Sequence, residues 1–83
     1  MKVVVRKKEN AVSVVIHTEY IKLQDAMKLA NAASTGGEAK LLIQDGQVAV
    51  NDGICEMRGK KLYPGDRFAY SGQTYRICGH EAE

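Results

Sequence analysis

The apolar residues of this chain change period twice, which limits it to folds that combine strands with helices. Val3, Val4 and Val5 precede Val12, Val14 and Ile16 at period two, and Glu9-Asn10 between the groups predicts a turn, hence an amino-terminal hairpin or strand pair. The spacing then becomes helical. Leu23, Ala26, Met27, Ala30 and Ala33 lie on one face of a helix from Lys22 to Ala33, with Lys22, Asp25 and Lys28 on or beside its polar side. Thr35 and Glu38 form a capping-box pair, in which Thr35 caps the free N–H groups and Glu38 reaches back to the Thr35 N–H. A second helix is therefore expected from Gly36 to Gln44, with Ala39, Leu42 and Ile43 inward and Gly46 taking the left-handed conformation that ends it.

Beyond Gly46 period two returns. Val48 and Val50 lead into an Asn51-Asp52-Gly53 turn, and Ile54 to Met57 is expected to return as a partner strand. Arg58-Gly59-Lys60-Lys61 forms a basic loop and Tyr63-Pro64-Gly65-Asp66 a turn. Arg67 to Tyr70 and Thr74 to Cys78 then pair around Ser71-Gly72, and Gly79 to Glu83 is expected to fray. The expected order is β-β-α-α-β-β-β-β, an α+β domain with two short helices packed on a small antiparallel sheet.

With 83 residues, the chain buries roughly 60% of its unfolded surface, enough for one core, so a single domain is expected. Its net charge of +2 and pI near 8.6 fall short of the pI above about 9 that marks a nucleic-acid-binding domain. No apolar run approaches the ~18 residues of a membrane span, and no signal-peptide pattern opens the chain. A cytoplasmic protein without membrane partners is the expectation. Cys55 and Cys78 read as reduced, small core residues.

Chemistry is sparse. His17 and His80 have no neighbours that suggest a triad, and the carboxylates are scattered singly. Cys78-Gly79-His80 with Cys55 would supply three ligands without the paired spacing of a zinc site. No enzyme, cofactor or metal is expected. Phosphate recognition is the better candidate, because Thr35-Gly36-Gly37 opens a helix where backbone N–H groups and the dipole favour an anion, with Lys40 one turn on. Arg58-Gly59-Lys60-Lys61 adds three cations without an acidic residue among them. The aromatic residues Tyr20, Tyr63, Phe68, Tyr70 and Tyr75 fall at strand or strand-end positions, where core packing is expected. A cationic face without aromatic platforms suits the backbone of structured RNA better than unpaired bases.

Taken in order, Ile21-Lys22-Leu23, Lys28-Leu29, Gly36-Gly37-Glu38-Ala39-Lys40, Gly46-x-Val48-x-Val50-Asn51 and Arg58-Gly59-Lys60-Lys61-Leu62-x-x-Gly65-Asp66 resemble the S4 RNA-binding domain. The pattern is most similar to the small stand-alone bacterial members, the YaaA/YbcJ-like group. The resemblance implies the αL fold, with residues 21–70 as an RNA-binding core between an amino-terminal β extension (1–18) and a carboxy-terminal strand and tail (71–83). It implies a ribosome-associated protein that binds structured RNA, ribosomal RNA or an assembly intermediate, through Lys22, Thr35, Gly36, Gly37, Lys40, Arg58, Lys60 and Lys61; Lys28 is expected to flank this face, and the protein is expected to be a monomer. Two departures bear on the phosphate grip, besides a modest one at the hairpin, where Asn51-Asp52-Gly53 stands for the group's usual Asn-Gly. Gly36 stands where the wider family often has arginine, and Met57 where the stand-alone group has the first of two arginines. Arg6, Lys7 and Lys8 match no family site. The reading from a different class is a protein-interaction module that adds its amino-terminal strand to a partner's sheet.

Overall fold

The computed structural model describes residues 11–79. The predicted first strand, the Glu9-Asn10 turn, the Arg6-Lys7-Lys8 cluster and His80 lie outside them. The described elements are β1 (Val12–Ile16), β2 (Ile21–Lys22), α1 (Leu23–Leu29), α2 (Gly36–Gln44), β3 (Val48–Val50), β4 (Gly53–Ile54), β5 (Lys61–Leu62), β6 (Arg67–Tyr70) and β7 (Gln73–Gly79). Two helices pack on an antiparallel-rich sheet, the α+β architecture expected of the αL fold. Five strands form one sheet in the order β1-β7-β6-β3-β4, and β2 and β5 make a separate two-stranded ribbon.

Within the large sheet, β3-β4, β3-β6 and β6-β7 are antiparallel, but β1 pairs parallel with β7, Val14 opposite Ile77. The expectation of a wholly antiparallel sheet is corrected here. Both helices lie between β1 and β7, and a connection of that length returns the chain to run alongside its first strand in the same direction. Gly79, expected to fray, instead pairs with Ile16. Both hairpin turns use left-handed residues in sequence, Asn51 and Asp52 (φ 48° and 76°) and Ser71 and Gly72 (φ 54° and 82°). Two successive positive φ values match the twist of the flanking strands.

Helix α2 keeps its predicted bounds. The Thr35 hydroxyl accepts from the Glu38 N–H at 3.1 Å, while the Glu38 carboxylate accepts from Ser34 N–H at 2.7 Å, one residue before the predicted partner. At its other end Gly46 (φ 78°) closes the helix, with Gly46 N–H donating to Ile43 C=O and Gln47 N–H to Leu42 C=O. Helix α1 is shorter than predicted. Asn31 adopts φ 62°, and the Ala32 N–H donates back to Met27 C=O at 2.8 Å, the hydrogen bond that seals a helix end. Ala33 remains buried, so apolar spacing continued past a stop that asparagine made without glycine.

The core lies between the helices and the sheet. Leu23, Ala26 and Met27 of α1 and Ala39 and Ile43 of α2 meet Val14, Ile16, Val48, Val50, Leu62, Phe68, Tyr75 and Ile77. The return strand after β3 covers only Gly53–Ile54 and does not reach Met57. Cys55 and Cys78 are free and half-buried; Cys55 packs against the core from its edge. No helix among the described residues is long and apolar enough to cross a membrane.

Candidate functional site

Helix α1 starts without a side-chain cap, since Lys22 at its N-cap offers no acceptor. Its first amides are satisfied from a distant segment. Leu23 N–H donates to Lys60 C=O at 2.8 Å and Gln24 N–H to Arg58 C=O at 3.1 Å. The basic loop is thus fastened across the helix start by its own carbonyls. The β2-β5 ribbon continues the attachment, with Ile21 opposite Leu62 and Lys22 opposite Lys61. Leu23 and Leu62 are fully buried beneath it, which leaves Lys22 and Lys61 exposed. Lys60 N–H closes the loop on Met57 C=O at 3.1 Å. Lys22 and, more than thirty positions later in sequence, Arg58, Lys60 and Lys61 are therefore gathered at one end of α1.

The remaining candidates lie at the other end. A Cβ on Gly36 would stand 3.9 Å from Cδ of Lys28, so the Lys28 stem runs past the start of α2. Thr35 caps that start, and Lys40 is exposed one turn further along α2. The rise from Lys22 to Lys28 is ~9 Å at 1.5 Å per residue, so α1 separates two cationic groups by about its own length. Asp25 lies on α1 between them. Among the described residues, none of Lys22, Lys28, Lys40, Arg58, Lys60 and Lys61 is held in an ion pair. Arg67, by contrast, is committed to Asp52 at 3.3 Å.

Four of the five aromatic residues form two contacting pairs, and the fifth, Tyr70, is half-buried against the core. Phe68 and Tyr75 stack in the core with ring centroids 4.7 Å apart, as expected of strand residues. Tyr20 and Tyr63 do not enter the core. Their rings lie 5.7 Å apart at 49°, and Lys61 Nζ sits 4.8 Å from the Tyr20 ring centroid, a cation–π contact. The expectation that the cationic face lacks aromatics is corrected by this pair. The β2-β5 register explains the meeting, because one step beyond Ile21 opposite Leu62 sets Tyr20 opposite Tyr63. Only the pairing of two strands distant in sequence carries that signal. No group of three metal-ligating side chains occurs among the described residues.

Comparison with known proteins gives three findings. A model of the S4 domain matches residues 14–78. A protein of Bacillus subtilis (strain 168) named "Probable ribosome maturation protein RlbA" is 45% identical over 51 residues, 61% of this chain and 72% of that protein. The solution structure of YbcJ from E. coli, described as revealing an αL motif involved in RNA binding, superposes with a TM-score of 0.67 at 20% identity. The superposition covers 93% of this chain and 99% of YbcJ.

Proposed function

The chain belongs to the S4 domain family, and from that membership we propose that it is a non-catalytic protein that binds structured RNA through phosphate contacts, in ribosomal RNA or a ribosome assembly intermediate. The carbonyl capping of α1 by the basic loop is the observation that carries the reading. It holds Lys22, Arg58, Lys60 and Lys61 together on a folded base, with their charges unpaired among the described residues. Lys28, Thr35, Gly36, Gly37 and Lys40 extend the contact along α2, where the helix start favours an anion. The match to the B. subtilis protein supports the ribosomal context. The protein acts as a monomer in the cytoplasm.

Phosphate binding has a signature in salt. Each neutralised phosphate contributes a slope of roughly −0.7 to −0.9 in log affinity against log salt, so four contacts predict about −3. A titration of the protein with a structured ribosomal RNA fragment over a range of potassium chloride concentrations measures it. No binding at low salt, or a slope near zero, rejects the reading. A second reading, strand addition at β1, draws on its position at the sheet edge among the described residues and on outward-facing Val15, 49% exposed. Edge pairing would be far less sensitive to salt, so the same titration separates the two.

Asp25 offers a further test. It follows Lys22 and precedes Lys28 in sequence and lines the depression beside Lys22, where its charge opposes a phosphate. Asp25→Asn is expected to tighten RNA binding about two- to fivefold at low salt, corresponding to ~0.4–1 kcal/mol for a partly exposed charge, and less at high salt. Unchanged affinity in the same titration would remove α1's outer face from the contact.

A further inference from the structure

We infer that Tyr63 is a stacking platform for one unpaired nucleobase of the bound RNA, beside the cations that hold the adjoining phosphates. The inference rests on the RNA-binding reading and adds to it a preference for RNA with an unpaired nucleotide over a continuous duplex.

Tyr63 is 44% exposed although it directly follows Leu62, which is fully buried. Its backbone is fixed from both sides. Tyr63 N–H donates to the Asp66 carboxylate at 2.8 Å, and Tyr63 C=O accepts from Asp66 N–H at 2.8 Å across the Pro64-Gly65 turn. Gly65 at φ 102° supplies the conformation that this turn requires. Tyr20 supports the ring at 5.7 Å, and its own face is taken by Lys61 Nζ at 4.8 Å. Tyr63 therefore offers the larger exposed ring surface of the pair, Tyr20 being half-buried. A half-exposed aromatic on an anchored backbone loses little conformational freedom when a base covers it.

The surrounding charge selects a base rather than a phosphate for this spot. Lys61 lies against Tyr20, and Lys22 stands opposite Lys61 in the ribbon, so the phosphate on the ribbon side of a stacked nucleotide meets two cations. The shallow depression next to Tyr20 is lined by Glu19 and Asp25 as well as Lys22. Both carboxylates repel a phosphate, and that of Glu19 can accept a hydrogen bond from the exocyclic amino group of a base. The Tyr20-Tyr63 pair, with cations and an amino-group acceptor on its Tyr20 side, has the chemistry of a site for an unpaired nucleotide.

The test uses two RNA probes with the same number of phosphates, a hairpin with an unpaired loop and a blunt duplex. The wild-type protein is expected to bind the hairpin more tightly. Tyr63→Ala should weaken hairpin binding by roughly 5- to 150-fold, the range for loss of one base–aromatic stack, and reduce the hairpin preference. Tyr63→Phe, which keeps the ring, should retain the preference. Circular dichroism of both variants reports folding, and the Tyr63 turn contacts are made by backbone atoms that alanine keeps. If Tyr63→Ala folds and binds the hairpin as tightly as wild type, the platform is rejected while the phosphate reading stands. If wild type binds neither probe, both readings fail.

Discussion

Neutralising Lys40, Lys60 and Lys61 together, each to glutamine, is expected to lower affinity for structured RNA by about 2.1 to 2.7 orders of magnitude near 0.1 M salt. The magnitude follows from the salt slope. A contact contributing −0.7 to −0.9 to the slope is worth roughly 5- to 8-fold at 0.1 M, and three such contacts multiply to approximately 125- to 500-fold. The salt dependence itself should flatten by about 2 to 3 in slope, a change that a merely unfolded variant would not show. All three side chains are exposed, so the fold persists. Lys61 alone gives up a packing contact, the one with Tyr20, at a cost of about 0.5–1 kcal/mol and a Tm lower by roughly 2–8 °C. Fluorescence anisotropy with labelled RNA over a salt series, paired with a thermal melt, measures both quantities. Affinity and slope equal to wild type would overturn the assignment of these lysines.

Phe68→Ala carries the largest expected effect on stability. Phe68 is 1% exposed on β6, stacked against Tyr75, and fully buried Leu23, Met27 and Ile43 lie in the same core cluster. Truncating a buried phenylalanine costs about 3–5 kcal/mol, a large part of the ~4–12 kcal/mol that a domain of this length holds in total. The melting temperature should fall by at least about 12 °C, with RNA binding lost in parallel as the scaffold opens. Phe68→Leu preserves most of the volume and should fall much less. A melt of Phe68→Ala within a few degrees of wild type would mean that the stack contributes little to the core.

The parts of this molecule that were legible in its sequence are those whose causes are local. Thr35, Glu38 and Gly46 mark α2 because capping and left-handed termination act within a few residues, and the structure departs only in passing the Glu38 contact to Ser34. The Asn51-Asp52 turn declares itself for the same reason. The end of α1 was harder to read, since Ala30 and Ala33 keep helical spacing while Asn31, able to turn left-handed at modest cost, ends the helix between them. The β2-β5 ribbon has two residues per strand, too short for any periodicity, and its partners lie about forty positions apart. The parallel β1-β7 register and the Tyr20-Tyr63 pair are likewise long-range products. Of the candidate site, residue identities were legible from their ordered motifs, whereas their grouping into two cationic clusters about α1 required the fold.

The two hydrogen bonds from Leu23 and Gln24 to the basic loop also bear on kinetics. A loop ordered only by its ligand must surrender its freedom during the encounter, which slows capture and weakens the complex. Here that ordering takes place when the domain folds, because detaching the loop would strip α1 of the acceptors for its first amides. Arrival of a polyanion should then be governed by diffusion and long-range attraction, with no conformational step to wait for. The amide protons of Leu23 and Gln24 become its natural reporters, since their exchange with solvent requires the loop to lift away.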